Sequence, residues 1–374
     1  MRNAPPDAID TRLVRRVLVI KLRHHGDVLL ASPVFTVLKS ALPSAQIDAL
    51  VYRETVPMLE DHPALAQLHS IDREWKERGF LVQLREELAL LRALRARRYD
   101  LVVHLTEHPR GAWLTRLLRP RYAVGRELPD AHWLWRTSFS HYYRLPRARP
   151  RHMVECNLDA LRRLGLQPSA ADRRLVLSPG ERDRERAREL LAQHGLEPKR
   201  FIQLHPGSRW LFKCWTAEAY AELIQALLAD DWLIVVTGAP DERERRLVDE
   251  ILGLLPESRR DRVVNLTGML SLRELAALTQ QARAFVGVDS APMHIAAAMR
   301  TPVVALFGPS GEIEWGPWQV THRVVASTEH PCRPCGIDGC GGGKVSECLT
   351  TLPVARVHGA LLQVLADSAQ VGAQ

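Results

Sequence analysis

The stretch Val17-Leu18-Val19-Ile20-Lys21-Leu22-Arg23-His24-His25-Gly26-Asp27-Val28 decides the fold of the first half of the chain. Its opening run of branched apolar residues reads as a strand with no wet face, and an amphipathic helical pattern, Val28 to Leu42, follows at once. A buried strand passing directly into a helix is the start of a βα unit in a parallel sheet. Gly26 suits a tight turn between the two, and Asp27 stands where a helix N-cap is expected. Capping alone is enough to explain a carboxylate there. The functional reading comes from position: ligands of open α/β sheets bind beyond the carboxyl ends of the strands, where a general base can reach an acceptor hydroxyl.

The same alternation continues outward. Further strands are expected over Gln46 to Val51, Leu68 to Ile71, Leu101 to His104 and Tyr122 to Val124, with helices over Glu77 to Arg97, Arg110 to Leu118 and His152 to Leu164. A Pro- and Arg-rich passage (145–151) and a turn-rich one (165–172) bracket that last helix, so the first domain is expected to span 1–170. The second half, 171–352, repeats the pattern with strands over Phe201 to Leu204, Leu233 to Thr237, Val263 to Leu266, Phe285 to Val288 and Val303 to Phe307. Each ends in small or polar residues, so five strand tips are expected to line one crevice, and two such domains facing each other make a cleft. The terminal segment, 353–374, is expected to carry a helix that crosses back to the first domain.

With 374 residues, 46% of them apolar, the chain can fill two cores. No long uninterrupted apolar run and no signal-peptide pattern is seen, which points to a cytoplasmic protein. Residues 1–170 hold 28 Lys and Arg against 18 Asp and Glu, while residues 171–374 hold 23 against 25. The basic excess therefore lies in the first half, which suits a polyanionic partner such as nucleic acid, a membrane surface or a phosphorylated acceptor, and suits equally a solvated Arg-rich surface.

Several α/β chemistries are excluded. Neither half-domain's first strand is followed by Gly-x-Gly-x-x-Gly, there is no P-loop, and no Gly-x-Ser-x-Gly elbow occurs. No two aspartates are separated by one residue, the pattern with which metal-dependent sugar transferases hold a cation on the diphosphate, so no cofactor is expected for catalysis. Two further segments carry chemistry. His205-Pro206-Gly207-Ser208-Arg209, followed by Lys213, offers open backbone N–H groups and a point charge for a diphosphate. Phe285-Val286-Gly287-Val288-Asp289-Ser290-Ala291-Pro292-Met293-His294 passes from strand to helix, whose dipole and free N–H groups suit a leaving diphosphate. Taken alone, Asp289 reads equally as an N-cap and His294 as a core histidine.

The first and third of these phrases together resemble the bacterial lipopolysaccharide heptosyltransferases, most nearly the heptosyltransferase III branch, and the likeness runs from about Arg16 to Leu365. The resemblance implies an α/β chain of GT-B fold, two Rossmann-like doubly wound domains, with acceptor held by the N-terminal one and nucleotide by the C-terminal one. It implies that Asp27 is the general base, that Lys213 holds phosphate, and that Gly207 and Ser208 contact the nucleotide side. Asp289 would meet the donor sugar, Ser290, Ala291, Pro292 and His294 the diphosphate, and Met269 the adenine. The loop from His205 to Lys213 reads one residue longer than in heptosyltransferase I. The implied donor is ADP-L-glycero-D-manno-heptose and the implied acceptor an anionic lipid A-Kdo-heptose core, with inversion at the donor's anomeric carbon. A monomer in peripheral contact with the inner membrane surface is expected.

On the acceptor side, Arg23, His24, His25, Arg53, Arg110 and Arg126 are the candidates, and Glu107 is a rival base. Cys332, Cys335, Cys340 and Cys348 suit a structural zinc, with free thiols and a loop disulfide equally open. Two other functions compete. A same-fold transferase would use another nucleotide sugar. A nucleic-acid-binding protein would use the basic half, yet no aromatic-basic run joins that half to the cysteines.

Overall fold

The structure, a computed structural model, describes residues 5–145 and 150–371, so the expected Pro- and Arg-rich passage lies partly outside the described residues. Two compact units meet at the Ser178/Pro179 junction, eight residues beyond the expected boundary.

In the first unit six parallel strands are β1 (Arg16–Ile20), β2 (Gln46–Tyr52), β3 (Gln67–Ile71), β4 (Leu101–His104), β5 (Tyr122–Arg126) and β6 (His141–Tyr143), in the order β3-β2-β1-β4-β5-β6. Its helices are α1 (His25–Leu29), α2 (Ser32–Ala41), α3 (Phe80–Arg97), α4 (Pro109–Leu118), α5 (Trp133–Arg136) and α6 (Met153–Arg163). The second unit has β7 (Phe201–His205), β8 (Leu233–Val236), β9 (Val263–Asn265), β10 (Ala284–Val288), β11 (Val303–Phe307) and β12 (His322–Ala326), ordered β12-β11-β10-β7-β8-β9. Around them lie α7 (Glu181–Gln193), α8 (Ala217–Ala229), α9 (Glu242–Gly253), α10 (Glu257–Arg260), α11 (Leu272–Gln281), α12 (Ala291–Ala298), α13 (Glu312–Trp315), α14 (Glu347–Thr350) and α15 (Val354–Val371).

Both sheets thus start in the middle, grow to one side, and then jump across. The reversal falls between β1 and β4 in one sheet and between β7 and β10 in the other. The central strands are buried on both faces, which is why they read as continuous apolar runs. Register is parallel throughout, with Ile20 beside both Leu50 and His104, and Gly287 beside His205.

Four features differ from the sequence reading. Each sheet has a sixth strand that was not expected, β6 and β12, both at an edge. The first helix starts earlier, at His25, and the run to Ala41 is interrupted at Leu30 and Ala31. The extended residue before it is His24, so Asp27 is the third helical residue and not the N-cap, and Gly26 is an ordinary helical residue. Finally, α15 packs on α8, β10, β11 and β12 of its own second unit. There Arg283 donates to the Leu365 carbonyl, and just ahead of the helix the Trp215 indole donates to Leu352 O at 3.0 Å.

The core beside the first reversal holds a histidine. His104 at the end of β4 is fully buried, stacked on Phe139 at 5.6 Å and edge-on to Trp135 at 5.4 Å, with Nε2 3.1 Å from Thr106 Oγ1. Burial, with help from the charges of His108 and Lys21, pushes its pKa down to about 3, so the ring is neutral. α4 can lie on this ring only because residue 111 is glycine: an added Cβ would sit 1.8 Å from His104 Nε2. The rings behind His104 leave it no room to retreat. Gly111→Ala is expected to lower stability by about 1–3 kcal/mol, read as a lower urea midpoint. An unchanged midpoint would contradict this packing.

Candidate active site

The chemistry-bearing residues of the first unit lie at the carboxyl ends of its strands. Asp27 is half-buried in the first turn after β1, and within the described residues its carboxylate makes no hydrogen bond or ion pair. Beneath it lies a residue that the sequence reading passed over. Lys21 is buried, and its Nζ donates to Asn157 Oδ1 at 3.0 Å and to the Leu105 carbonyl at 3.3 Å. The Asn157 amide donates to Leu30 O at 3.0 Å, which ties α6 to the break between α1 and α2. Burial lowers the Lys21 pKa to about 8, while the charge of Asp27 opposes that fall. A buried ammonium therefore sits under the turn that presents Asp27.

The remaining acceptor-side candidates are mostly paired. Arg53 donates to Asp72 at 3.1 Å, Arg110 to Glu87 at 2.5 Å and Arg126 to Glu107. Glu107, the rival base, is thus turned toward a guanidinium, whereas Asp27 is not. Arg23 is exposed, and among the described residues it alone of the four arginines carries no ion pair. His25 Nε2 lies 2.8 Å from the Glu54 carbonyl, which fixes α1 against the tip of β2. His24 precedes α1 with no side-chain cap.

In the second unit the reversal between β7 and β10 gathers the donor-side candidates except Met269, which follows the edge strand β9. Lys213, in a 3-10 turn (Leu211–Lys213) after β7, donates to Asp289 Oδ2 at 2.6 Å, just past β10. Ser290 is the extended residue before α12, and its hydroxyl turns back to the Val288 carbonyl. Pro292 has no N–H, and the Met293 N–H is taken by Ser290 O at 3.2 Å. The open donors of this helix start are therefore Ser290 and Ala291, fewer than the sequence pattern suggested. His294 is buried inside α12.

Gly207 and Ser208 are buried as well. A Cβ on Gly207 would lie 2.3 Å from Glu244 Oε2, so glycine lets the β7 tip close over a buried carboxylate. Glu244 was not found from sequence. It accepts the Ala239 N–H at 2.8 Å and stands 3.6 Å from His205 Nε2. Burial alone would raise its pKa, but the His205 side chain and the Ala239 amide hold it below the usual carboxylate range. Met269, after β9, is half exposed, as a surface for a flat ring would be.

The four cysteines of residues 332–348 are unbridged, Cys348 being buried and the others exposed. Burial raises the Cys348 thiol pKa, Arg333 opposes this, and Cys340, Cys335 and Cys332 each add to the rise, so the sulfurs are within electrostatic reach of one another. Among the described residues, however, no three His, Cys, Asp or Glu side chains converge as a metal site.

The model of glycosyltransferase family 9 (heptosyltransferase) matches residues 87–345, more than half of the chain. This chain belongs to glycosyltransferase family 9. It is 35% identical over 305 residues to lipopolysaccharide heptosyltransferase 3 of Escherichia coli K12, covering 81% of this chain and 85% of that relative. Among solved structures, a glycosyl transferase family 9 protein of Veillonella parvula superposes with a TM-score of 0.81 at 24% identity, covering 98% and 99% of the two chains. The ADP-heptose LPS heptosyltransferase II of E. coli does so with 0.74 at 23% identity, covering 95% and 99%. The chain is a family 9 glycosyltransferase with the two-unit α/β fold expected of GT-B members.

The buried Lys21 gives this turn a measurable signature. Its folded-state pKa, about 8, lies below the 10.5 of a free lysine, so the unfolded chain binds the proton more tightly and this group's contribution to stability rises with pH across that window. Lys21→Met removes the titration. From pH 8 to 10.5 the wild type is expected to gain on the order of 3 kcal/mol relative to Lys21→Met, by denaturant unfolding at each pH. A difference that stays flat with pH would show that Lys21 is not the buried ammonium described.

Proposed function

We propose that this chain is an inverting heptosyltransferase that moves L-glycero-D-manno-heptose from ADP-heptose to a heptose of the lipopolysaccharide inner core, with no metal in the transfer step. The observation that carries the reading is the unpaired Asp27 carboxylate at the reversal of one sheet, together with the Lys213–Asp289 pair and open helix start at the reversal of the other. Membership of family 9 supports heptose as the sugar, and the names of the E. coli relatives support lipopolysaccharide and ADP-heptose as the substrates. The absence of an Asp-x-Asp pair supports a cation-free step.

In this reading the first unit holds the acceptor. Asp27 takes the proton of the acceptor hydroxyl as its oxygen attacks the anomeric carbon. The bond from that carbon to the ADP β-phosphate oxygen breaks in the same displacement, through an oxocarbenium-like state, and its electrons leave on ADP. In the second unit, Lys213 and the Ser290 and Ala291 N–H groups, at the positive end of α12, stabilise the charge that grows on the diphosphate. Asp289 keeps Lys213 aimed before donor arrives and contacts the heptose afterwards, while Met269 packs on the adenine. Arg23, with His24 and His25 beside Asp27, meets the anionic core. The protein works as a monomer on the cytoplasmic side of the inner membrane.

Asp27→Asn is nearly isosteric and should keep cooperative unfolding while lowering kcat by about 10²–10⁴-fold. Near wild-type turnover would remove Asp27 from the mechanism. Lys213→Ala should lower turnover by about 10²–10³-fold, and EDTA should leave wild-type turnover unaffected. A requirement for a divalent cation would overturn the metal-free step.

A further inference from the structure

Residues 331–345 have no role in the proposed transfer step, and their order lacks an ordinary cause. Every residue of the segment is exposed except the half-buried Arg333 and the buried Gly339, so it hides no apolar side chain that would offset the entropy of ordering. Yet the segment is tightly built. The Cys340 N–H donates to the Val345 carbonyl at 2.6 Å and the Lys344 N–H to that of Asp338 at 3.2 Å, and a Cβ on Gly339 would lie 2.4 Å from Val345 N.

Cys332, Cys335 and Cys340 lie in this segment and Cys348 just after it, and the chain gathers them round the tip of β11. Arg333, between the first two, donates from Nε to the Gly308 carbonyl at 2.6 Å, and the Gly336 N–H, just after the second, donates to that of Pro309 at 2.9 Å. Cys348, in α14, is buried, with Sγ 3.6 Å from where a Cβ on Gly308 would stand. Cys340 Sγ accepts the N–H of Glu347, the neighbour of Cys348, at 3.4 Å. Cys335 and Cys340 are each followed by a glycine of positive φ, +68° at Gly336 and +60° at Gly341. A left-handed residue there lets the backbone fold back round the preceding sulfur, as a metal-binding knuckle requires. The thiols do not converge on one point, but the three that are exposed have no packing around them to fix their rotamers.

We propose that Cys332, Cys335, Cys340 and Cys348 together hold one thiophilic metal ion in a tetrahedral site, and that this ion orders the segment. Spacings of two and four residues between the first three cysteines suit such a site, and four sulfurs select zinc or iron. Binding releases the thiol protons to solvent and leaves a net negative centre. Arg333, its side chain 7% exposed, brings a positive charge to the same turn. Ser346, buried two residues before Cys348, has a hydroxyl with no partner among the described residues, a donor available to a thiolate. With all four positions filled by sulfur the ion has no place for substrate, so it takes no part in the transfer step. Its effect is mechanical: Lys344 Nζ stands 5.9 Å from the Phe212 ring centroid, so the ordered segment abuts the turn that ends in Lys213.

The test is metal analysis of the full chain, purified without chelator, alongside Cys335→Ser, Cys340→Ser and the control Cys156→Ser. Wild type and the control should carry about one equivalent of zinc or iron, the metal analysis telling which, and each of the other variants at least about tenfold less. Capping the thiols with an organomercurial should release the ion, after which trypsin should cut behind Lys344 at least about tenfold faster than in the loaded chain. A readout that needs no variant is reloading of the stripped wild type with Co²⁺, which should give the visible bands of tetrahedral cobalt thiolate. A chain that takes up neither zinc, iron nor cobalt, or a metal that survives both Cys335→Ser and Cys340→Ser, would overturn the proposal. So would a denatured, unreduced chain in which only Cys156 and Cys214 react as thiols, which would place the other four cysteines in disulfides.

Discussion

A parallel sheet that starts from its middle strand and is wound out to both sides has one place where successive crossovers leave in opposite directions. Right-handed connections allow little else, so the loops after the two central strands separate and a hollow opens at their carboxyl ends. Both units of this chain obey that constraint, between β1 and β4 and between β7 and β10. Asp27 follows β1, Lys213 follows β7 and Asp289 follows β10. The hollow also carries a local cost. The turn after β1 is supported from below by a buried ammonium, which binds the Leu105 carbonyl and, through Asn157, the carbonyl of Leu30.

The central strands were legible because burial on both faces leaves no alternative to runs such as Val17 to Ile20 and Val303 to Phe307. The edge strands were not, because β6 is only His141-Tyr142-Tyr143 and β12 carries His322 and Arg323 on a half-solvated edge. Helical periodicity located α2 but not the turn before it, since His25-Gly26-Asp27 carries no apolar signal of its own. Asp27 was therefore found for its position and misread in its geometry. Lys21, Asn157 and Glu244 escaped for a different reason. A lysine after an apolar run reads as the end of a strand, and its partner Asn157 stands 136 residues away.

Charge was legible in its sum and not in its pairing. Arg53, Arg110 and Arg126 are acceptor-side candidates by sequence, but each meets a carboxylate some twenty residues distant, an interval that only the βα path brings together. Arg23, at the tip of β1, carries no ion pair among the described residues.

The most direct measurement of the central claim is the product itself. The purified chain is incubated in EDTA with ADP-heptose and a core oligosaccharide ending in heptose, and the product is examined by mass and by the NMR signal of its new anomeric centre. The expected result is one added heptose whose anomeric configuration is opposite to that of the donor. Retained configuration, or transfer only from a different nucleotide sugar, would contradict the reading of Asp27 as the base of a single displacement from ADP-heptose.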